Sequence, residues 1–276
     1  MNNIYCFYIY DDGRLPELIV ALDSLRKTNP KYPIACMIGR EVSNETIQFM
    51  LNDLHIEVLD GTPWNLSEVI YDAQGNFVSD CNCSGKLNLY RFQQYNKIVY
   101  LDTDVWVKQN MDELFDLPDG SMARYCWDEQ QRTNGGVIVM VPNDNTINDF
   151  NNYLEFCKTT VGKFYIPDDQ EWMLQKYNDV PRLNYCYNVV ASDLCRYYGN
   201  CLFDEGAVKL YHFVGTCWNK KLWQANTVHL YQESCHKIMY DYLDMFNNTI
   251  NEYINRYPHM KSKLTQGVEK YNNLEN

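Results

Sequence analysis

Apolar residues near the start of the chain alternate between short unbroken runs and helical spacing. Ile4–Tyr10 is an apolar and aromatic run that stops at Asp11-Asp12-Gly13, which predicts a buried strand closed by a turn. Leu15–Arg26 then carries Leu18, Ile19, Leu22 and Leu25 at helical spacing. A second run, Ile34–Ile38, precedes a helix whose start is marked by Ser43 with Thr46 and Ile47 behind it, and Ile56–Leu59 predicts a third strand. Strand, helix, strand, helix, strand is the order of a parallel α/β sheet, because parallel neighbours need a crossover long enough to hold a helix.

Residues 61–85 mix Gly, Pro, Asn and Ser and read as irregular, after which Lys86–Tyr95 predicts a helix feeding the strand Lys97–Leu101. That strand ends at Asp102-Thr103-Asp104. In open α/β sheets ligands sit beyond the carboxyl ends of strands, so chemistry is expected here before any motif is named. Gly135–Val141 predicts another apolar strand, Asn148–Thr160 a helix, and Pro167-Asp168-Asp169-Gln170 the head of a further helix. Val208–Phe213 is strand-like and runs into Gly215. Glu233–Tyr257 places Ile238, Tyr242, Leu243, Phe246, Ile250, Tyr253 and Ile254 on one helical face, and the polar segment after Pro258 is expected to be a mobile tail. No internal repeat or compositional break divides the chain, so one compact domain is expected.

Composition narrows the partners. The 276 residues are 46% hydrophobic, enough for a sizeable core, and the formal charge is −12. Such an acidic chain lacks the many phosphate-contacting Lys and Arg of a nucleic-acid binder. An acidic protein that handles a diphosphate needs a local remedy, and a divalent cation screens both the ligand and the carboxylates that hold it. No basic-flanked apolar leader and no uncharged run near ~20 residues occurs, which predicts a soluble cytoplasmic protein without a membrane span. The 11 cysteines include no Cys-x-x-Cys, Cys81 and Cys83 being one residue too close, and predict reduced thiols.

Asp102 and Asp104 flank Thr103 directly after a strand. In an extended segment their side chains point the same way, so two oxygens can converge on one hard cation. A plain turn is the bland alternative. A strand-end Asp-x-Asp with a later Asp168-Asp169 also fits a phosphohydrolase of the haloacid dehalogenase type, although that motif normally closes the first strand of its fold.

The wider context has a clear likeness. Residues 86–115, KLNLYRFQQYNKIVYLDTDVWVKQNMDELF, resemble the core of the glycogenin-like retaining glycosyltransferases of family 8. Four further segments match in the same order: Thr133-Asn134-Gly135-Gly136-Val137, Asp169-Gln170, Tyr187-Asn188, and Val208–Gly215 with its His-Phe-x-Gly ending. The resemblance spans residues 4 to 223 and implies a single GT-A type, Rossmann-like domain with a mixed, mainly parallel sheet flanked by helices. Its implied division is a nucleotide-sugar-binding half at 1–107, an acceptor-binding half with the C-terminal helix at 108–257, and a polar tail at 258–276.

The resemblance also implies roles. Asp102, Asp104 and His212 would ligate a divalent cation, manganese or else magnesium, bridging the phosphates of a UDP-sugar. Lys86 would reach the donor phosphate or sugar, Asn134 with Gly135 and Gly136 would face sugar hydroxyls, and Asp169 with Gln170 would lie near the anomeric carbon. Asp169 and Gln170 also make a good helix start, and both readings can hold together. Tyr8, Ile9, Tyr10 and Asp12 resemble the uridine-binding strand end, but the family's following tyrosine aligns with Arg14, whose guanidinium can also stack on a base. The family's Gly-x-x-Lys-Pro-Trp becomes Gly215-Thr-Cys-Trp-Asn-Lys220-Lys221-Leu-Trp223, leaving either lysine for the leaving phosphate. Transfer of glucose or galactose to a separate glycan or protein acceptor is the expected activity, with a self-glycosylating primer using Tyr197-Tyr198 as the alternative. Trp64, Tyr71, Trp218 and Trp223 suit an acceptor cleft, and a homodimer is implied by the resemblance alone.

Overall fold

The order predicted for the first part of the chain is present in the computed structural model as β1 (Asn3–Asp11), α1 (Leu15–Lys27), β2 (Ile34–Glu41), α2 (Asn44–Asn52) and β3 (Glu57–Asp60). The structure describes residues 2–62, 68–71, 77–124, 133–156, 169–194, 203–214 and 233–269. Ser43 caps α2 as its spacing predicted, its hydroxyl accepting from Thr46 N at 3.3 Å.

The segment expected to be irregular contains an antiparallel hairpin, β4 (Glu68–Tyr71) and β5 (Phe77–Cys81), paired from Glu68–Cys81 to Tyr71–Phe77. Its turn-forming composition hid two short strands. Residues expected as a helix from Lys86 instead wind as 3-10 turns over Asn82–Arg91. Leu87 and Tyr90 lie three apart, the spacing that shares one face of a 3-10 turn, and both are fully buried. β6 (Lys97–Leu101) comes next as predicted, then three short elements that the apolar pattern does not reveal or only outlines: β7 (Val105–Val107), β8 (Met122–Arg124) and the start of β9 (Thr133–Met140). α3 (Asp144–Phe156) begins before the predicted Asn148, because Asn143 Oδ1 accepts from Thr146 N at 2.9 Å and caps it; its predicted end at Thr160 lies outside the described residues. α4 (Asp169–Lys176), β10 (Val189–Val190), β11 (Leu210–His212), α5 (Glu233–Arg256) and α6 (Lys261–Glu269) complete the order.

The main sheet has six strands ordered β3-β2-β1-β6-β9-β8. β3, β2, β1 and β6 are parallel, while β9 runs antiparallel to both β6 and β8. The α/β, mixed and mainly parallel class is therefore present. Alternate residues of each central strand feed separate cores, as the pleat requires. Tyr5, Phe7, Val99, Leu101, Val137 and Val139 pack on one face with α1, α2 and α5. Ile4, Cys6, Ile98, Tyr100, Ile138 and Met140 pack on the other with Phe150 of α3 and Met173 of α4.

A second sheet, β10-β11-β7, stands beside the carboxyl end of β6. Tyr242 of α5 stacks on Phe213 with centroids 3.7 Å apart, fixing this helix behind β11.

The expectation of a mobile tail after Pro258 is corrected for residues 258–269; residues 270–276 lie outside the described residues. Residues 261–269 form α6, whose Leu264 is buried against the core together with Met260 of the turn before it. Lys263 holds it down, donating to Asp12 Oδ2 at 2.6 Å and Ser43 Oγ at 2.9 Å. Two apolar residues in a polar stretch are too few to predict that docking. Among the described residues no helix is long and apolar enough to cross a membrane.

Candidate active site

The chain leaves β6 at Leu101 and turns at once through Asp102-Thr103-Asp104 into β7. Asp102 N donates to Gly136 O at 2.9 Å, pinning the turn to β9, and Phe213 N donates to Asp104 O at 2.8 Å, pinning it to the second sheet. β11 pairs antiparallel with β7 so that His212 lies opposite Val105. That register brings His212 Nε2 within 3.0 Å of Asp104 Oδ1 and 3.5 Å of Asp102 Oδ2. One ligand atom from each of Asp102, Asp104 and His212 lies within 4.8 Å of the others.

Hydrogen bonds around the imidazole set its tautomer. Asn188 Nδ2 donates to Asn134 Oδ1 at 2.9 Å and to Asn134 O at 3.2 Å, which turns Asn188 Oδ1 toward His212 Nδ1 at 3.1 Å. Nδ1 then carries the proton and Nε2 presents a lone pair to the two carboxylates. With Nδ1 donating to Asn188, Nε2 is the ring atom that would ligate a cation beside the two carboxylates, and the donor set fits a divalent ion. Two carboxylates and an imidazole suit manganese better than calcium. Gly136 makes room for the ring, since a Cβ there would fall 2.5 Å from imidazole atoms.

Lys86 forms the second part of the site. It is 5% exposed, and its Nζ lies 3.1 Å from Asp169 Oδ2 and 3.6 Å from Asp102 Oδ1 while donating to Gly135 O at 3.2 Å. Asp169, 3% exposed, opens α4, where the helix dipole favours a carboxylate. Gln170 Oε1 accepts from Gly135 N at 3.1 Å. Tyr100 donates its hydroxyl to Asp102 Oδ1, and burial, then the Asp102 carboxylate, push its phenol well up, so it remains a donor. Two carboxylates, Asp102 and Asp169, thus share one ammonium, and Asp104 adds a third beside them, a negative excess that a bound cation would offset.

The carboxyl end of β1 supplies a third part. Ile9 is fully buried, while Gly85 lies so close to Tyr8 that a Cβ would fall 2.3 Å from its hydroxyl. Arg14 Nε donates to the Tyr10 hydroxyl at 2.9 Å, and the guanidinium lies 5.0 Å from the centroid of that ring. The Asp12 side chain, expected as a nucleotide contact, accepts from Ser43 N at 2.9 Å and from Lys263 within the protein. Gly215, Lys220, Lys221, Trp218, Trp223, Trp64, Asp168, Tyr197 and Tyr198 lie outside the described residues, as does the Tyr71 side chain.

The profile of "Glycosyl transferase family 8" matches residues 5–227. The chain belongs to this family. It is 28% identical over 224 residues to glycogenin of Neurospora crassa, an alignment covering 78% of this chain and 31% of that one, so it spans about a third of that relative's length. Galactinol synthase 2 of Arabidopsis thaliana is 24% identical over 291 residues, covering 91% of this chain and 83% of the other. The crystal structure of the galactosyltransferase LgtC superposes with a TM-score of 0.59 at 16% identity over 89% of this chain and 95% of that one, which shows the GT-A fold. Family 8 membership leaves the haloacid dehalogenase reading unsupported, and the Asp-x-Asp comes after β6 rather than the first strand.

Three residues of this family 8 chain gain a place at the site that the sequence does not assign them. Tyr100 reads as one more apolar strand position, although its place two residues before Asp102 puts both on one strand face. Asn188 stands in a matched motif without a task. Glu17 falls inside the apolar face of α1 and gives its only signal as a charge among Leu15, Leu18 and Ile19.

Proposed function

We propose that the chain transfers a hexose, glucose or galactose, from a UDP-sugar to a glycan or protein acceptor with retention of anomeric configuration. The observation that carries this reading is the meeting of Asp102, Asp104 and the lone-pair face of His212 at the end of β6, beside the Lys86–Asp169 pair. Asp102, Asp104 and His212 hold manganese, or magnesium in its place. The ion, when bound, supplies Lewis-acid stabilisation to the departing diphosphate.

The chain's own groups do the positioning. Lys86 is fixed between two carboxylates and brings a point charge to the donor without reorganisation. Its ion pairs set Asp169 and Asp102 relative to one another, and Gln170 is held by Gly135 N, so that Asp169, Gln170 and Asn134 present a preformed wall to the sugar. Tyr8, Tyr10 and Arg14 form the nucleobase side, and Ile9 supports it from the core. Gly215 and Lys220 or Lys221 come after β11 and supply further phosphate contacts. A separate acceptor is favoured, since glycogenin and galactinol synthase are both relatives and family membership does not demand self-modification.

Thermal unfolding of the purified protein with UDP, GDP, UDP-glucose and UDP-galactose, each with manganese and with EDTA, tests this, because a ligand that binds only the folded state raises the midpoint. A manganese-dependent rise with UDP and one UDP-sugar supports the reading. No rise with any nucleotide overturns it. Intact mass after incubation with that donor separates the acceptors: an unchanged mass is expected, and a ladder of hexose increments would establish self-glycosylation.

A further inference from the structure

We infer that Glu17 is a positioning residue that couples the nucleobase side of the donor site to the Asp102-Thr103-Asp104 turn. The inference rests on the donor-site reading above and adds a residue to which the family resemblance gives no role. Glu17 lies in the first turn of α1 and is 1% exposed. A carboxylate in an apolar layer is strongly unfavourable unless its oxygens find donors and a counter-charge. Here Arg14 Nη1 donates to Oε1 at 2.9 Å and to Oε2 at 3.1 Å, and the Thr103 hydroxyl donates to Oε2 at 3.0 Å.

Thr103 is the residue between the two acids, and it is 8% exposed. Arg14 is in turn bound to the Tyr10 hydroxyl and lies over that ring. A continuous chain of contacts, Tyr10–Arg14–Glu17–Thr103, therefore joins the end of β1 to the turn after β6. Its centre pairs a buried carboxylate with a partly exposed guanidinium through two hydrogen bonds, so a shift of Arg14 disturbs Glu17 and, through it, Thr103. A ligand seated against Tyr10 and Arg14 restrains Thr103 and the acids on either side, and a cation held by those acids restrains Arg14. Linkage makes the two effects equal.

Uridine and magnesium separate the two ends, because uridine has no phosphate to touch the metal. Titrations of the full chain, followed by NMR, would measure uridine affinity with and without magnesium in the wild type and in Thr103→Ser, Thr103→Val and Glu17→Gln, with urea midpoints to verify folding. Magnesium is expected to tighten uridine about fivefold in the wild type, the lower range of such couplings. Thr103→Ser keeps the hydroxyl and the factor. Thr103→Val and Glu17→Gln lose the factor while each ligand alone still binds; the isosteric valine keeps the test decisive where Glu17→Gln fails to fold. A valine variant that retains the wild-type factor, or a wild type that binds both ligands independently, overturns the coupling alone. A wild type that binds neither ligand overturns the donor-site reading and this inference with it.

Discussion

Two buried polar clusters share one face of the main sheet and are built on opposite principles. Around Asp119, the Tyr90 hydroxyl and Val141 N donate to Oδ1 at 3.2 Å and 2.8 Å, the Tyr177 hydroxyl donates to Oδ2 at 2.7 Å, and the two phenols lie 3.1 Å apart. One carboxylate meets three donors and the cluster closes on itself. Around Lys86, two carboxylates share one ammonium and a third, Asp104, stands beside them with His212, so negative charge is in excess. A closed network fixes the core, whereas an excess of one sign marks where a ligand must complete the set.

Changing one group in each cluster should move different observables. Asp104→Asn should weaken divalent-dependent UDP binding by at least about a hundredfold, with the ligand-free urea midpoint unchanged or raised, because it relieves the excess; calorimetry with and without manganese checks this. A variant with unchanged UDP affinity would remove the metal assignment. Lys86→Met should lower kcat/KM about a hundredfold and stability by about 3 kcal/mol, since Asp169 is left buried without a counter-charge. Asp119→Ala should lower stability by about 2 kcal/mol in urea titrations, by stranding its donors, and leave UDP affinity unchanged. If it altered donor binding instead, the division between closed and open clusters would fail.

The smallest effect is expected at Lys263, where Met should cost about 0.5 kcal/mol at neutral pH, as partly exposed pairs do. Burial acts to raise the Asp12 pKa, but hydrogen bonds from Lys263 and Ser43 hold it below its ordinary 3.8. A depressed acid contributes stability above its unfolded value and loses it as pH falls through its folded one. The difference between Lys263→Met and wild type should therefore begin to shrink as pH falls toward 3.8 and vanish only below the lower folded value of Asp12, measured by urea midpoints across the acid range.

How much of the molecule is legible in the sequence depends on where the information sits. β1, β2, β3 and β6 are apolar runs buried by local pattern, and the strand-end position of Asp102 and Asp104 is read off with them. β7 and β8 are three residues each, too short for periodicity, and owe their existence to partners far along the chain. His212 can be named only through the family resemblance, because its position depends on the β11–β7 register. The Lys86–Asp169 pair and the Glu17–Thr103 bond likewise join distant segments, and no local spacing encodes them. α6 escapes the apolar pattern because an ion pair to Asp12, rather than an apolar stripe, anchors it.

β9 is buried on both faces along its whole length. Its apolar residues thus differ little from face to face, and with its Gly135-Gly136 start the pattern alone marks the register against β6 weakly. The observed register, Leu101 opposite Val137 and Ile98 opposite Met140, is marked at its start by Asn134, Gly135 and Gly136. A slip that brought Val137 to the place of Gly136 would drive a side chain into His212, where even a Cβ falls within 2.5 Å of the ring. Asn134, Gly135 and Gly136 thus mark the strand register while lying against His212 and Gln170. Variants at these three residues are expected to lower soluble yield as well as rate.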